Sequence, residues 1–158
     1  MYLKMKRGFT LEEIKKKIER YCVYQDRCHK EVEKKLFEYY LIPEAKEQIL
    51  LHLLENNYLN EERFAKSFAR GKFRFKKWGK DRIIRELNYK DISATNIKIA
   101  LKEIDEDEYM EVLNNLVEKK NDAMKGEEVY KRKKKIFDYL KYRGYETDLI
   151  IEVLKKYY

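Results

Sequence analysis

Three stretches of the chain carry one pattern, and the pattern restricts what the chain can fold into. Leu36, Leu87 and Leu140 stand 51 and 53 residues apart, and further apolar residues follow each at fixed distances. Five positions on are Leu41, Ile92 and Tyr145. Thirteen on are Ile49, Ala100 and Val153, and fourteen on are Leu50, Leu101 and Leu154. Ten positions on, the later copies hold Ile97 and Ile150, whereas the first holds Lys46. A recurrence of this length marks units that cannot each bury an apolar face alone and stack on their neighbours instead. The spacing predicts one repeat domain with units at about 9–57, 58–104 and 105–158, elongated rather than built around one thick core.

The repeating unit reads as helical. Five glycines and one proline leave almost nothing to punctuate strands, while apolar residues recur at spacings of three and four. Thr10-Leu11-Glu12-Glu13 forms a capping box with Phe9 as a possible staple, opening a helix to about Tyr24. The chain breaks at Gln25-Asp26-Arg27 and resumes over about Lys30–Tyr40; Pro43 then suits the first turn of a helix to about Asn56. Asn60 and Ser93 are N-cap residues, and the carboxylates from Asp105 to Glu108 suit the positive end of another helix dipole. Helices are also expected over Lys80–Asn88, Ala94–Glu103 and Val129–Tyr142, with a restart near Thr147. Gly144 stands where a left-handed residue ends a helix. Its equivalents are Tyr40 and Asp91, which predicts that the first two turns are made differently. The fold class is therefore all-α.

Composition and motifs exclude several functions. Charged residues make up 42% and apolar residues 44%, too many of the latter for a disordered chain. No apolar run approaches the ~20 residues that cross a bilayer. The basic segment Met1–Gly8 lacks the apolar stretch of a signal peptide. Cys22 and Cys28, six apart, fall on different faces of a continuous helix; reduced thiols in a cytoplasmic protein are expected. His29 and His52 complete no metal-ligand spacing with them. The carboxylates from Glu103 to Glu111 lack the glycine-centred loop of a calcium site. There is no glycine-rich phosphate loop and no nucleophile elbow. The reading is of a protein without catalytic residues, metal or cofactor.

What remains is charge. Residues 63–90 hold eleven basic and two acidic side chains, a local +9, against 26 and 27 in the remainder. Essentially all of the net +8 lies there, at the junction between the first and second copies, with Phe73, Phe75 and Trp78 interleaved. Cations interleaved with aromatics suit phosphate backbones and unstacked bases, and equally an acidic protein surface. The aromatics could instead plug the core between repeats. The second basic run, Lys131-Arg132-Lys133-Lys134-Lys135, reads as a solvated face.

Four strings resemble one known family. Tyr58-Leu59-Asn60-Glu61-Glu62-Arg63-Phe64-Ala65 is similar to the Y-L-[DN]-[DE]-x-R-F-A signature of RecX proteins, regulators of the recombinase RecA. Asp26-Arg27-Cys28 resembles the family's D-R-S, with Cys28 in the serine cap position. Trp78 to Leu87 resembles G-x-x-R-I-x-x-E-L, and Leu140 to Tyr145 resembles L-x-R-R-G-F. The chain departs from the pattern at Asp81, where proline is frequent, and at the Tyr40-Leu41 and Lys90-Asp91-Ile92 turns. The resemblance implies three tandem three-helix units in a curved array. It also implies a non-enzymatic protein that lies in the groove of the RecA–DNA filament and limits recombinase activity.

Together these readings give a monomeric regulator that docks on a RecA-type filament, with single-stranded DNA as a possible direct partner and no membrane partner. The alternative is a helical single-stranded nucleic-acid-binding protein without a recombinase partner. The expected contacts are Arg63, Arg70, Lys72, Arg74, Lys77, Arg82 and Arg85, with Trp78 as an anchor, because Arg and Trp most often dominate interface energy. Arg63 has a competing role, bracing its own helix by pairing with a neighbouring carboxylate.

Overall fold

The computed structural model describes residues 8–158. Residues 1–7, on which the reading against a signal peptide rests, lie outside the described residues. Nine helices and no strand occur among the described residues. They are α1 (Leu11–Tyr24), α2 (His29–Phe37), α3 (Pro43–Glu55), α4 (Glu61–Lys76), α5 (Lys80–Tyr89), α6 (Ala94–Leu101), α7 (Glu106–Ala123), α8 (Val129–Arg143) and α9 (Thr147–Leu154). Each anchor leucine lies in the middle helix of a three-helix unit and is buried, as are Ile49, Ala100 and Val153. None of these helices is long and apolar enough to cross a membrane.

The helices begin where side chains can satisfy their free N–H groups. Thr10, Asn60, Ser93 and Asp105 each accept a hydrogen bond from the backbone N–H three residues on, at 2.9–3.2 Å. Cys28 occupies a cap position without capping; its thiol donates to Glu31 Oε1 at 3.2 Å. Helix α2 stops at Phe37, three residues earlier than its periodicity suggests, because the chain turns through 38–40.

That turn corrects one sequence expectation. Tyr40, Asp91 and Gly144 all adopt left-handed backbone, with φ of 50°, 60° and 96°. Each stands four residues past its anchor, so the three turns share one backbone geometry although only the last uses glycine. Side chains with a Cβ adopt this region at a cost of about 1–2 kcal/mol. Tertiary packing of the flanking helices holds it there in the first two units.

The core divides unequally. Unit one has its own cluster, from Ile14 and Ile18 through Leu36 and Leu53 to Leu59. Units two and three share a second, continuous cluster running from Phe64 to Leu154, which also takes in Cys28. Phe73, Tyr109 and Tyr145 stack in series within it, with centroids 5.7 and 5.3 Å apart. The Tyr109 hydroxyl accepts from the Lys80 N–H at 3.0 Å and donates to Glu146. Burial, and secondly that carboxylate, push the Tyr109 hydroxyl far above the ordinary phenol range.

Units two and three also meet backbone to backbone. The Gly79 N–H donates to Arg143 O at 2.8 Å and the Asp81 N–H to Gly144 O at 2.9 Å. A Cβ at Gly79 would sit on the Gly144 carbonyl group, and one at Gly144 on the Cβ and backbone nitrogen of Arg82. Only glycine permits this crossing. The seam between units one and two is largely polar instead. Arg63 Nε pairs with Asp26 at 2.8 Å, Lys90 with Glu31 at 3.6 Å, and Lys30 with Asp91 at 3.6 Å while donating to Tyr89 O at 2.8 Å.

A candidate cationic interface

The basic stretch is not a connector between the first two units. It forms α4 and α5, the first two helices of unit two, and it faces unit three as well as unit one. Its eight candidate residues divide into three groups.

Arg63 and Arg70 are held internally. Arg63 pairs with Asp26 and also donates to Tyr58 O at 3.2 Å, which joins the start of α4 to the α1–α2 turn. Arg70 reaches Glu103 at 3.3 Å, beside Lys66. Both give part of their charge to the fold before any partner arrives.

Lys72, Trp78 and Arg82 form a ladder of cations and rings. Lys72 Nζ lies 5.4 Å from the Phe68 ring and 5.0 Å from the Trp78 ring. The Arg82 guanidinium lies 4.2 Å from Trp78 and 5.0 Å from Tyr142. Lys90 extends the ladder at Phe68, at 5.8 Å. Each such contact is worth about 0.5–2 kcal/mol and fixes long side chains that would otherwise lose entropy on binding.

Arg74, Lys77 and Arg85 are exposed, as is Lys76, and none has a carboxylate partner among the described residues. Arg74, Lys76 and Lys77 close α4, where the negative end of the helix dipole favours cations. Four of the carbonyls there accept hydrogen bonds from within the fold. Lys72 O accepts from Trp78 N, Phe73 O from Lys77 N, Lys76 O from Arg143 at 2.5 Å, and Lys77 O from the Tyr145 hydroxyl at 2.8 Å. A positive patch thus sits on a helix end several of whose own acceptors are occupied.

The aromatics separate cleanly. Phe64 and Phe73 are core, Trp78 is half-buried, and Phe75 is 85% exposed. Sequence reasoning missed Tyr139, Tyr142 and Arg143 of α8. They join Phe75, Lys76, Lys77, Trp78 and Arg82 in lining a groove of about 450 Å³. Among the described residues no carboxylate lines it. Their distance along the chain hid them; the only signal was their place around Gly144. Across unit three, Lys131, Lys133, Lys134 and Lys135 are exposed, as a solvated face requires. The described residues contain no His, Cys, Asp and Glu cluster able to hold a metal ion.

A tandem array of three-helix units with a cationic, aromatic face on its middle unit defines the class: an all-helical repeat protein. The comparisons give the particular family. The family model described as RecX, second three-helix domain, matches residues 60–101, and that of the third three-helix domain matches residues 106–154. The Regulatory protein RecX of Lactobacillus gasseri is 30% identical over 141 residues, covering 86% of this chain and 50% of that protein. That of Clostridioides difficile is 31% identical over 110 residues, covering 70% and 52%. The chain spans about half the length of these curated relatives. Among solved structures, RecX from Lactobacillus salivarius superposes with a TM-score of 0.83 at 23% identity, covering 92% of this chain and 95% of that one. The chain belongs to the RecX family.

Proposed function

We propose that this chain is a non-catalytic, cytoplasmic regulator that binds a RecA-type recombinase filament on DNA and limits its activity. Membership of the family supports the reading, and the observation that carries it is the set of exposed cations Arg74, Lys76, Lys77 and Arg85 on the middle unit, which have no carboxylate partner among the described residues. A filament on DNA is a long polyanion flanked by protein, and a repeat array can span more than one of its subunits. Binding across a subunit boundary would hinder addition of the next subunit without any chemical step.

Co-sedimentation with purified RecA tests this. The chain should pellet with RecA assembled on single-stranded DNA, and filament-dependent ATP hydrolysis should fall as it is titrated in. Changing Arg74, Lys76, Lys77 and Arg85 together to Gln should weaken pelleting sharply while leaving the melting temperature nearly unchanged. Equal binding to single-stranded DNA with and without RecA, and no effect on ATP hydrolysis, would favour a nucleic-acid-binding protein without a recombinase partner.

A further inference from the structure

Phe75 is the most exposed of the described large apolar side chains, at 85%, yet it stands in the last turn of a well-packed helix beside three cations that have no carboxylate partner among the described residues. It is also a shared wall. The groove toward unit three, about 450 Å³, is lined by Phe75 and Lys76 together with Trp78, Arg82 and Tyr142. A second groove, about 510 Å³, lies toward unit one and is lined by the same Phe75 and Lys76 together with Phe64, Phe68, Lys72 and Lys90. Two carboxylates border this second groove, and both are neutralised: Asp26 by Arg63 at 2.8 Å, Glu31 by Lys90 at 3.6 Å and Arg27 at 3.8 Å.

We propose that the two grooves form one path for single-stranded nucleic acid, with Phe75 as the ridge on which an unpaired base stacks and Arg74, Lys76 and Lys77 as its phosphate contacts. This deepens the filament reading by naming what the cationic face touches. An exposed ring flanked by cations is the arrangement that binds single strands without reading sequence, because every base has a face to stack and every nucleotide a phosphate. A duplex hides its bases from such a ridge. An acidic peptide would satisfy the lysines but leave the row of rings, Phe68, Phe75, Trp78 and Tyr142, without a matching partner.

The test uses the full chain with no recombinase present, so its failure leaves the filament reading standing. Fluorescence anisotropy is measured with a labelled oligothymidylate, an abasic deoxyribose-phosphate oligomer of equal length, the corresponding duplex, and poly-glutamate. The sole tryptophan, Trp78, reports from inside one groove. Oligothymidylate should bind about tenfold or more tighter than the abasic strand and quench Trp78. Phe75→Ala should remove that advantage, Phe75→Trp should retain it, and Tyr130→Ala, an exposed ring of unit three, should change nothing. Equal affinity for abasic and base-bearing strands, an unaffected Phe75→Ala variant with an unaltered melting curve, or tighter binding of duplex or poly-glutamate would each overturn the proposal.

Discussion

Unit one and the block formed by units two and three have the same three-helix plan but are held differently. Unit one closes a small core of its own and meets unit two through ion pairs and a few buried side chains, Cys28 and Leu59. Units two and three share one core and interlock their backbones at Gly79 and Gly144. Buried apolar surface contributes roughly 25 cal/mol per Å² and is not screened by salt, whereas partly exposed pairs are worth about 0–1 kcal/mol and are. A repeat plan therefore does not imply equal coupling between repeats. The candidate binding face lies on the shared-core block, and the weaker seam predicts that unit one opens first.

The glycine crossing offers the largest expected effect. Gly144→Val adds an overpacking cost of about 1–3 kcal/mol to left-handed strain of about 1–2 kcal/mol. A loss of about 2–5 kcal/mol in chemical unfolding is expected, with units two and three failing together. Persistence of either unit alone would break the claim of one block. Leu87→Ala and Leu140→Ala should each cost about 2–5 kcal/mol and lower the same transition. Leu36→Ala should cost a similar amount yet act on unit one, leaving the near-ultraviolet signal of Trp78 largely intact.

The seam should respond weakly. Arg63 and Asp26 have about a third of their side chains exposed, 37% and 30%, so Arg63→Ala should loosen unit one by only about 1 kcal/mol. Tyr40→Gly sharpens the comparison from the other side. It relieves left-handed strain in unit one and should stabilise that unit by up to about 1 kcal/mol, as read by its protection from proteolysis.

The thiols give a pH-dependent counterpart. Burial raises Cys22 and Cys28 to about 11, above the ordinary thiol value. The folded chain thus retains these protons after the unfolded chain has lost them. Stability falls as pH rises from about 9 toward 11, and is unaffected by these groups below pH 8. Labelling by a thiol reagent at pH 8 should be slow for both. Cys22, within unit one's core, should react before Cys28, which is buried in the shared core.

Much of this was legible in the sequence, and the omissions have physical causes. Anchor spacing located all three middle helices, because a buried leucine must recur wherever a unit repeats. Cap residues located helix starts, because hydrogen bonds within three residues depend on local sequence alone. The left-handed turn at Tyr40 was not legible, since tyrosine does not favour that backbone; Asp91 tolerates it better but signals it far less plainly than glycine. The binding face was half legible. Its charge is contiguous in sequence, but Arg63 and Arg70 are drawn into ion pairs whose partners lie 37 and 33 residues away. Tyr142 and Arg143 enter the face only through the Gly79–Gly144 crossing, a contact between residues 65 apart. Phe75 and Phe73 look alike in sequence, and the turn of α4 alone decides which is buried.

Amide hydrogen exchange on the full chain, read by mass spectrometry, tests the unequal coupling most directly. Peptides from α4 to α9 should share one high opening free energy, while those from α1 to α3 open at a lower one. Raising the salt to about 1 M should widen the gap by weakening the ion-paired seam. A single opening energy across all the helices, unchanged by salt, would contradict the account.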